Sequence, residues 1–327
     1  MPLPLFSLAD LETAAALVRT VMPETPQYAW PLLAIRTGAE VWVKHENHTP
    51  IGAFKLRGGL VYMDWLNRSR PRLSGVVTAT RGNHGQSVAL AGRRAGVPVT
   101  ILVPRGNSAE KNAAIEGFGA ELIVHGRDFD EAKARAVELA RERSLYDLPS
   151  FDPLLVKGVA TYALELFRAV TGLHTVYVPI GMGSGICGVI AVRDLLGLST
   201  DIVGVVAAAA PAVALSMEAG HPVPTGSAAT FADGVACREP HPDALAIIAR
   251  GAARIVRVEE AEIAEAIRLL WAATHNVAEG AGAASLAALI KERDRIRGKR
   301  VGLVLSGGNI DRDMLRTVLG GRTPAVA

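Results

Sequence analysis

The sequence predicts an α/β fold in which two open, mostly parallel twisted sheets carry helices on both faces. Short β-branched runs alternate with longer helical patterns along nearly the whole chain, and several of these runs end in glycine-rich turns. Such alternation is typical of parallel sheets that are buried under helices. Half of the 327 residues are hydrophobic, which is enough for a compact protein of two lobes with a sizeable core.

The individual elements follow from these patterns in chain order. Runs rich in valine, isoleucine and threonine predict strands at 40–44, 75–80, 99–103, 121–124, 175–180, 202–207, 254–258 and 300–305. Periodic patterns that start at acidic or small polar residues predict helices at 83–95, 128–143, 154–170, 259–274 and 282–295. Gly96 and Gly172 mark the ends of two of these helices.

Composition argues against several classes of protein. The net charge is +3, and the 35 basic residues are interleaved with 32 acidic ones, so we expect no nucleic-acid partner. Cys187 and Cys237 lie far apart without a paired spacing, so neither a disulfide framework nor a zinc site is indicated, and a cytoplasmic location fits best. Residues 1–18 carry Asp10 and Glu12 and lack the pattern of a secretory signal.

One uncharged stretch, residues 169–192, is long enough to cross a membrane. It contains Pro179 and several glycines, which would break a helix that spans lipid. We therefore interpret it as a buried strand, a turn and a helix, and expect no membrane association.

Glycine-rich turns follow three predicted strands, at 80–86, 181–185 and 306–309. In open α/β sheets, ligands bind where such turns gather, outside the carboxyl ends of the strands. The turn 181–185 opens a helix, so its amide groups and the helix dipole favour a phosphate, although glycine can also serve only the backbone angles of a tight turn. Residues 183–188 fit the pattern G-x-G-x-x-G as well, but the next strand ends in alanines instead of an acid, which favours a monophosphate over a nicotinamide dinucleotide.

Lys55 is flanked by Phe54 and Leu56 at a predicted helix start. A cation is unfavourable at this end of the helix dipole, and a partly buried amine with a lowered pKa is a good Schiff-base nucleophile. An apolar-flanked lysine can equally lie at the surface with its amine in solvent. The position alone leaves both interpretations open.

A series of ordered segments gives Lys55 a context. They are Gly52-Ala53-Phe54-Lys55-Leu56-Arg57-Gly58 after Lys44-His45-Glu46-Asn47, the turn 80–86, Phe151-Asp152-Pro153 with Gly158, Thr161 and Glu165, the loop 181–185, Ala232-Asp233-Gly234, residues 279–283 and Leu305-Ser306-Gly307-Gly308-Asn309. Together these segments, which span residues 40–310, resemble the motifs of the serine/threonine dehydratase family of fold-type II pyridoxal-phosphate enzymes.

The resemblance implies that pyridoxal 5'-phosphate is held between a large domain of residues 1–73 and 148–327 and a small mobile domain of residues 74–147. The implied cofactor contacts are Lys55 as the Schiff-base lysine, Phe54 near the ring, Asn83 at the ring hydroxyl, Gly181, Met182, Gly183, Ser184 and Gly185 at the phosphate, Ser306 at the pyridine nitrogen, and Glu279 and Gly307. The substrate carboxylate would be held by Thr80, Arg81, Gly82, Asn83 and His84.

The family further implies an ammonia-lyase that converts a β-hydroxy amino acid such as L-threonine or L-serine to a 2-oxo acid and ammonia. Lys55 would remove the α-proton. A serine hydroxyl does not force protonation of the pyridine nitrogen, and the weaker electron sink favours elimination over transamination. Alternatives in the same fold are dehydration of 3-hydroxyaspartate or phenylserine and β-replacement of the cysteine-synthase type. Outside this class, the chain could bind the cofactor or an amino acid without turnover.

The sequence departs from the family pattern at a few positions. Ala53 stands where serine is usual, and we expect only a small effect. Arg81 occupies a position that is serine in the racemase branch; because arginine stays protonated, we expect no racemase activity, and its side chain either contacts the substrate or a domain-closing acid, or points to solvent.

Two further expectations concern metal and assembly. Residues 205–212 lack the carboxylates with which some members bind a divalent cation, so no metal site is expected. The family also implies a homodimer, and we expect no C-terminal effector domain, because residues 310–327 are too few to form one.

Overall fold

The computed structural model describes residues 5–326, so residues 1–4 and 327 of the predicted large domain lie outside the described residues. The strands in chain order are β1 Gln27–Ala29, β2 Glu40–His45, β3 Val76–Ala79, β4 Val99–Val103, β5 Glu121–Val124, β6 Tyr146–Asp147, β7 Thr175–Pro179, β8 Asp201–Ala207, β9 Arg254–Val258 and β10 Arg300–Leu305. They form one sheet of six strands in the order β1-β2-β10-β7-β8-β9 and one of four strands in the order β5-β4-β3-β6. Every pairing is parallel except that of β1 with β2, so the predicted fold class is confirmed.

The helices connect the strands as crossovers and cover both sheets. In chain order they are α1 Leu8–Arg19, α2 Pro31–Thr37, α3 Lys55–Ser69, α4 Asn83–Ala95, α5 Ala109–Gly117, α6 Phe129–Glu142, α7 Pro153–Ala169, α8 Ser184–Leu195, α9 Ala212–Ala219, α10 Pro242–Gly251, α11 Glu260–Thr274, α12 Gly280–Lys291, α13 Arg293–Ile296 and α14 Arg312–Leu319.

The six-stranded sheet is buried on both faces because its strand residues alternate between two cores. Val203 and Leu303 point into a core that α11 and α12 complete with Ile267 and Leu286. Their neighbours in sequence point the other way, and Ile202 is one of several that pack against α7, α8 and α10. A strand that is apolar on both faces reads as a continuous hydrophobic run, which is how these strands appear in the sequence.

The four-stranded sheet has the same arrangement on a smaller scale. Val76 and Ile101 pack in the core that contains α3, α4 and α5, whereas Val77 and Leu102 face α6. The strands of this sheet all lie within residues 76–147.

The eight predicted strands and five predicted helices are present, with differences of one or two residues at most ends. The predicted helix 282–295 is corrected, because it begins at Gly280, ends at Lys291 and is followed by the separate turn of α13. Residues 169–192 contain the end of α7, β7, a turn and most of α8, which agrees with the strand, turn and helix interpreted from the sequence. Within residues 5–326, no helix is both long and apolar enough to cross a membrane.

Candidate active site

The site lies where the carboxyl ends of several strands and the start of α3 meet. The backbone N–H of Phe54 donates to the carbonyl oxygen of Ser306 at 3.0 Å, and Ala53 forms an isolated antiparallel bridge with Gly307. These bonds fix Lys55, the first residue of α3, beside the turn that follows β10. Ser306 is buried at that turn.

The amine of Lys55 points at the glycine-rich loop that follows β7. Its Nζ donates to Ser184 Oγ at 3.2 Å and lies 4.7 Å from the centre of the Phe54 ring. Burial lowers the pKa of Lys55 to about 8, and the Glu279 carboxylate opposes the shift. At neutral pH a lysine with this pKa has a much larger neutral fraction than a lysine in water, and the neutral amine is the form that attacks a carbonyl carbon.

The loop 181–185 has backbone conformations and contacts that admit only glycine at two positions. Gly183 has φ +98° and caps α8 without a side-chain hydrogen bond, which leaves first-turn amides of α8 as donors. A Cβ on Gly181 would collide with the carbonyl oxygen of Gly234. Tyr162 Oη supports the loop by donating to the carbonyl of Gly185 at 3.1 Å. Amides of this kind at a helix start bind phosphate.

Met182 is the remaining member of this loop. Its Sδ lies 4.0 Å from Cys237 Sγ, so it packs toward the segment that follows the Ala232-Asp233-Gly234 turn.

The turn that follows β3 is organised by Thr80. Its Oγ1 accepts hydrogen bonds from the backbone N–H groups of Gly82 at 3.0 Å and Gly85 at 3.3 Å, so these two amides serve the turn itself. Of the predicted substrate donors, the Thr80 hydroxyl and the other amides at the start of α4 are not used by these two bonds. The Arg81 side chain is exposed, and it forms no ion pair with any residue in the range 5–326.

His84 Nε2 is buried and has no hydrogen-bond partner within the described part of the chain. Burial, with a smaller effect of the Lys55 charge, lowers the pKa of His84 to about 3, so the ring is neutral and lies near the lysine. A buried polar atom normally has a partner. The unpaired Nε2 of His84 near Lys55 is therefore consistent with a ligand that brings polar groups to this place.

A chain of polar side chains connects the start of α4 to the start of α12. Asn83 Nδ2 donates to Glu279 Oε1 at 2.6 Å, and Lys111 Nζ contacts Glu279 Oε2 at 3.3 Å and Asp233 Oδ2 at 2.5 Å. Burial raises the pKa of Glu279, although the Lys111 charge opposes this. Burial would lower the pKa of Lys111, but Glu279 and Asp233 reverse the sign and raise it above its usual value.

Behind the site, four charged side chains form a buried ion network, which we define as Lys44, Glu46, Arg57 and Glu165. The Arg57 guanidinium donates to Glu46 through Nε at 2.7 Å and to Glu165 through Nη1 at 2.7 Å, and Lys44 Nζ donates to Glu165 at 2.6 Å. Burial alone would raise the pKa of Glu165, but the Arg57 and Lys44 charges lower it. The network joins β2, α3 and α7, and thereby fixes the start of the helix that carries Lys55.

The four members of the buried ion network all lie in the family-like segments of the sequence, but the sequence predicted no role for them. Lys111 and Ser87 were missed entirely. Ser87 Oγ donates to the backbone carbonyl of Lys55 at 2.7 Å and so ties α4 to the start of α3. Gly59 leaves the space that Ser87 Oγ occupies, because a Cβ there would collide with it, but this close approach is visible only in the structure.

The residues present fit a phosphate-bearing carbonyl cofactor. The glycine loop supplies amides to a phosphate, the Lys55 amine faces that loop, and the unpaired His84 Nε2 lies near Lys55. Over residues 5–326, no group of three or more His, Cys, Asp or Glu side chains is arranged to hold a metal ion.

Several known proteins are similar to this chain over most of its length. It is 40% identical over 281 residues to an L-threonine ammonia-lyase of Geobacter sulfurreducens, covering 84% of this chain and 69% of that protein. It is 35% identical over 297 residues to the biosynthetic L-threonine dehydratase of Salmonella typhimurium, covering 90% of this chain but only 58% of that protein. The chain thus spans little more than half of the biosynthetic relative.

Structural comparison agrees. The processed form of threonine deaminase isoform 2 from Solanum lycopersicum superimposes with a TM-score of 0.87 at 31% identity, covering 96% of this chain and 94% of that one. The model of the family described as pyridoxal-phosphate dependent enzyme matches residues 18–307. Because that match covers most of the chain, this protein belongs to the pyridoxal-phosphate dependent enzymes, and pyridoxal phosphate is its cofactor.

Proposed function

We propose that this enzyme is an ammonia-lyase that converts a β-hydroxy amino acid, with L-threonine and L-serine as the leading candidates, to a 2-oxo acid and ammonia. The observation that carries the proposal is the Lys55 amine, which has a pKa near 8 and lies 3.2 Å from Ser184 Oγ in the glycine loop. The relatives named above as threonine ammonia-lyase and threonine dehydratase support the choice of reaction.

The cofactor would be held as the sequence predicts, by the loop 181–185 at its phosphate, by Lys55 at its carbonyl carbon, and by Phe54, Asn83 and Ser306 around its ring. Glu279 and Gly307 lie beside these residues: Glu279 accepts from Asn83, and its backbone N–H donates to the Gly307 carbonyl at 3.1 Å. When bound, pyridoxal phosphate supplies an electron sink for the electrons that the α-carbon releases.

Lys55 Nζ is the base that takes the α-proton of the substrate. Its lowered pKa makes the neutral amine accessible, and after accepting the proton it can return one to the departing β-hydroxyl. Loss of the α-hydrogen and the β-hydroxyl removes one water from the substrate. Uptake of one water then releases ammonia, so the 2-oxo acid differs from the substrate by NH₃.

The substrate carboxylate would bind at the turn after β3. The Thr80 hydroxyl accepts from the turn but keeps its own hydrogen to donate, and the amides that begin α4 add the positive end of a helix dipole. Neutral His84 would complete the polar wall through its unpaired Nε2.

A second candidate substrate is a β-hydroxy amino acid with an additional carboxylate, such as 3-hydroxyaspartate. The observation that favours it is Arg81, an exposed cation without an ion-pair partner in residues 5–326, two positions before Asn83. A guanidinium is well suited to hold a carboxylate in two hydrogen bonds.

The remaining expectations stand as parts of the same proposal. Residues 74–147 would form a small mobile domain, supported by the separate four-stranded sheet and its own core under α6. The enzyme would act as a homodimer in the cytoplasm. The cytoplasmic location is supported by its two cysteines, which are buried and form no disulfide, as is usual in a reducing compartment.

A keto-acid assay with purified enzyme over L-serine, L-threonine, 3-hydroxyaspartate and phenylserine tests the proposal. We expect one β-hydroxy amino acid to yield its 2-oxo acid with equimolar ammonia, and Lys55→Ala to abolish the yield while Lys299→Ala, which changes an exposed lysine, retains it. Turnover of O-acetylserine and sulfide to cysteine instead would support β-replacement. A coloured protein that forms no product would support binding without turnover.

A further inference from the structure

Three side chains form a continuous hydrogen-bonded chain from the turn after β10 to the start of α12. Asn309 Nδ2 donates to the carbonyl oxygen of Ile51 at 2.8 Å and to Asn83 Oδ1 at 2.8 Å. Asn83 Nδ2 in turn donates to Glu279 Oε1 at 2.6 Å. The chain therefore places Asn83 between two residues of the six-stranded part of the molecule, although Asn83 itself begins a helix of the four-stranded part.

The chemistry of the two ends fixes the orientation of both amides. The Ile51 carbonyl can only accept, so Asn309 must present its NH₂ group on that side. An ionised Glu279 can also only accept, so Asn83 must present Nδ2 to it and Oδ1 to Asn309. Every donor in the chain then meets an acceptor, and reversing either amide would place two donors or two acceptors against each other.

Asn309 ties this polarity to an acceptor that does not titrate. Burial raises the pKa of Glu279, although the Lys111 charge opposes the shift. The Ile51 carbonyl, by contrast, accepts from Asn309 at any pH. Asn309 is itself held closely, because a Cβ on Gly52, which has φ +67°, would lie 2.6 Å from Asn309 Oδ1.

We infer that Asn309 is a positioning residue that locks the Asn83 side chain with its NH₂ group, and not its carbonyl oxygen, available to the ring hydroxyl of the cofactor. The inference rests on the proposed placement of Asn83 beside that ring. A donor at the ring oxygen stabilises its ionised form, whereas an acceptor stabilises the protonated form. Asn309 would thereby influence the electronic state of the cofactor through its hydrogen bond to Asn83.

The test uses the absorption spectrum of the purified, cofactor-loaded enzyme, because the ionised and protonated ring-oxygen forms absorb in the visible and near-ultraviolet regions respectively. Asn309→Asp replaces the donor with an acceptor, so Asn83 lies between two acceptors and loses its preference for the wild-type orientation. We expect the ratio of the visible to the near-ultraviolet band to fall at least about fivefold, the effect of losing one hydrogen bond.

Asn47→Asp is the matched control. Asn47 lies within contact distance of a Cβ on Gly308, and its Nδ2 donates to Asn276 Oδ1 at 3.2 Å, but it is outside the chain of three. The same chemical change at this neighbouring asparagine should leave the band ratio unchanged. An equal shift in both variants, or none in Asn309→Asp, overturns the inference.

Asn309→Ala covers the outcome in which the aspartate variant does not fold. It removes the donor without adding an acceptor, so Glu279 alone still favours the wild-type orientation of Asn83, and we expect the band ratio to fall, but less than in Asn309→Asp. A wild-type ratio in Asn309→Ala overturns the inference as well. A wild-type protein that shows no cofactor band would instead overturn the proposed function on which the inference rests.

A double variant separates positioning from folding. In Asn309→Asp with Glu279→Gln, a reversed Asn83 would again meet a partner at each end, since glutamine can donate where glutamate accepted. We expect the thermal midpoint to recover toward wild type while the near-ultraviolet band persists. Recovery of the visible band together with stability would show that Asn309 acts only through folding, and would overturn the inference.

Discussion

Replacing Arg57 with methionine tests whether the buried ion network holds the start of α3. The wild-type guanidinium donates to Glu46, Glu165 and Thr161 at 2.7 to 2.9 Å, and its side chain is fully buried. Methionine fills similar space, but it leaves Glu46 with a hydrogen bond from the Thr25 hydroxyl and Glu165 with Lys44, so the two buried carboxylates lose the guanidinium that they shared. Breaking a buried pair in this way costs about 3–5 kcal/mol.

Thermal unfolding followed by circular dichroism measures this cost. At about 2 °C per kcal/mol for a chain of this size, the midpoint should fall by about 6–10 °C. Arg135→Met is the control, because Arg135 pairs with Glu138 and Glu142 on the exposed face of α6, where an ion pair contributes at most about 1 kcal/mol.

The sign of the pH dependence adds a second readout. The folded-state pKa of Glu165 is lowered, so its stabilising contribution is present above its unfolded pKa and is lost as pH falls through the folded value. Arg57→Met removes much of that contribution. The difference between the thermal midpoints of the wild type and Arg57→Met should therefore become smaller as pH falls. An Arg57→Met midpoint no lower than that of Arg135→Met would refute the reasoning.

Three other predictions follow from the site. The rate at which pyridoxal phosphate attaches to the apoenzyme, measured by stopped-flow absorbance, should rise with pH with a midpoint at about 8, because the neutral Lys55 amine is the attacking form. A midpoint of the rate near pH 10.5 would contradict the lowered pKa. Gly181→Ala should weaken cofactor binding in an equilibrium titration, since its Cβ would strike the Gly234 carbonyl, whereas Gly117→Ala in open space should leave binding unchanged. Lys111→Met should destabilise the enzyme by about 3–5 kcal/mol and expose α5 to limited proteolysis, because two carboxylates lose their shared cation; unchanged cleavage would count against this.

The two sheets could be predicted because buried parallel strands appear in a sequence as continuous runs of apolar residues. β8 and β10 are examples, since their residues alternate between two cores and are apolar on both faces. β1 and β6 were missed, because three and two residues respectively are too short to show a period. β1 is also partly exposed and pairs only at the sheet edge.

The candidate site was accessible from sequence only where a motif kept its residues adjacent. Lys55 and the loop 181–185 stand in such motifs, and the fold brings the lysine amine to the loop. The role of Lys111 could not be predicted from its neighbours in sequence, because Ala-Glu-Lys-Asn is typical of a solvent-exposed helix. Its contact with Glu279 arises only when α5 packs beside that residue. Arg57 and Glu165 lie 108 positions apart, and no periodicity in the sequence connects them.

Asn309 shows most clearly which features of the site cannot be predicted from sequence. Its motif drew attention to Ser306, whereas the contact that orients Asn83 depends on two segments separated by 226 positions. Hydrogen-bond polarity of this kind is a property of the assembled site, so it emerges only once the donors and acceptors lie within reach of one another.

Borohydride reduction of the cofactor-loaded enzyme, followed by peptide mapping with mass spectrometry, tests the central claim most directly. Reduction fixes pyridoxal phosphate to the lysine that holds it. We predict the added mass on the peptide that contains Lys55 and on no other lysine peptide. Label on Lys111 or on another lysine, or no label on a protein that shows a cofactor band, would contradict the account.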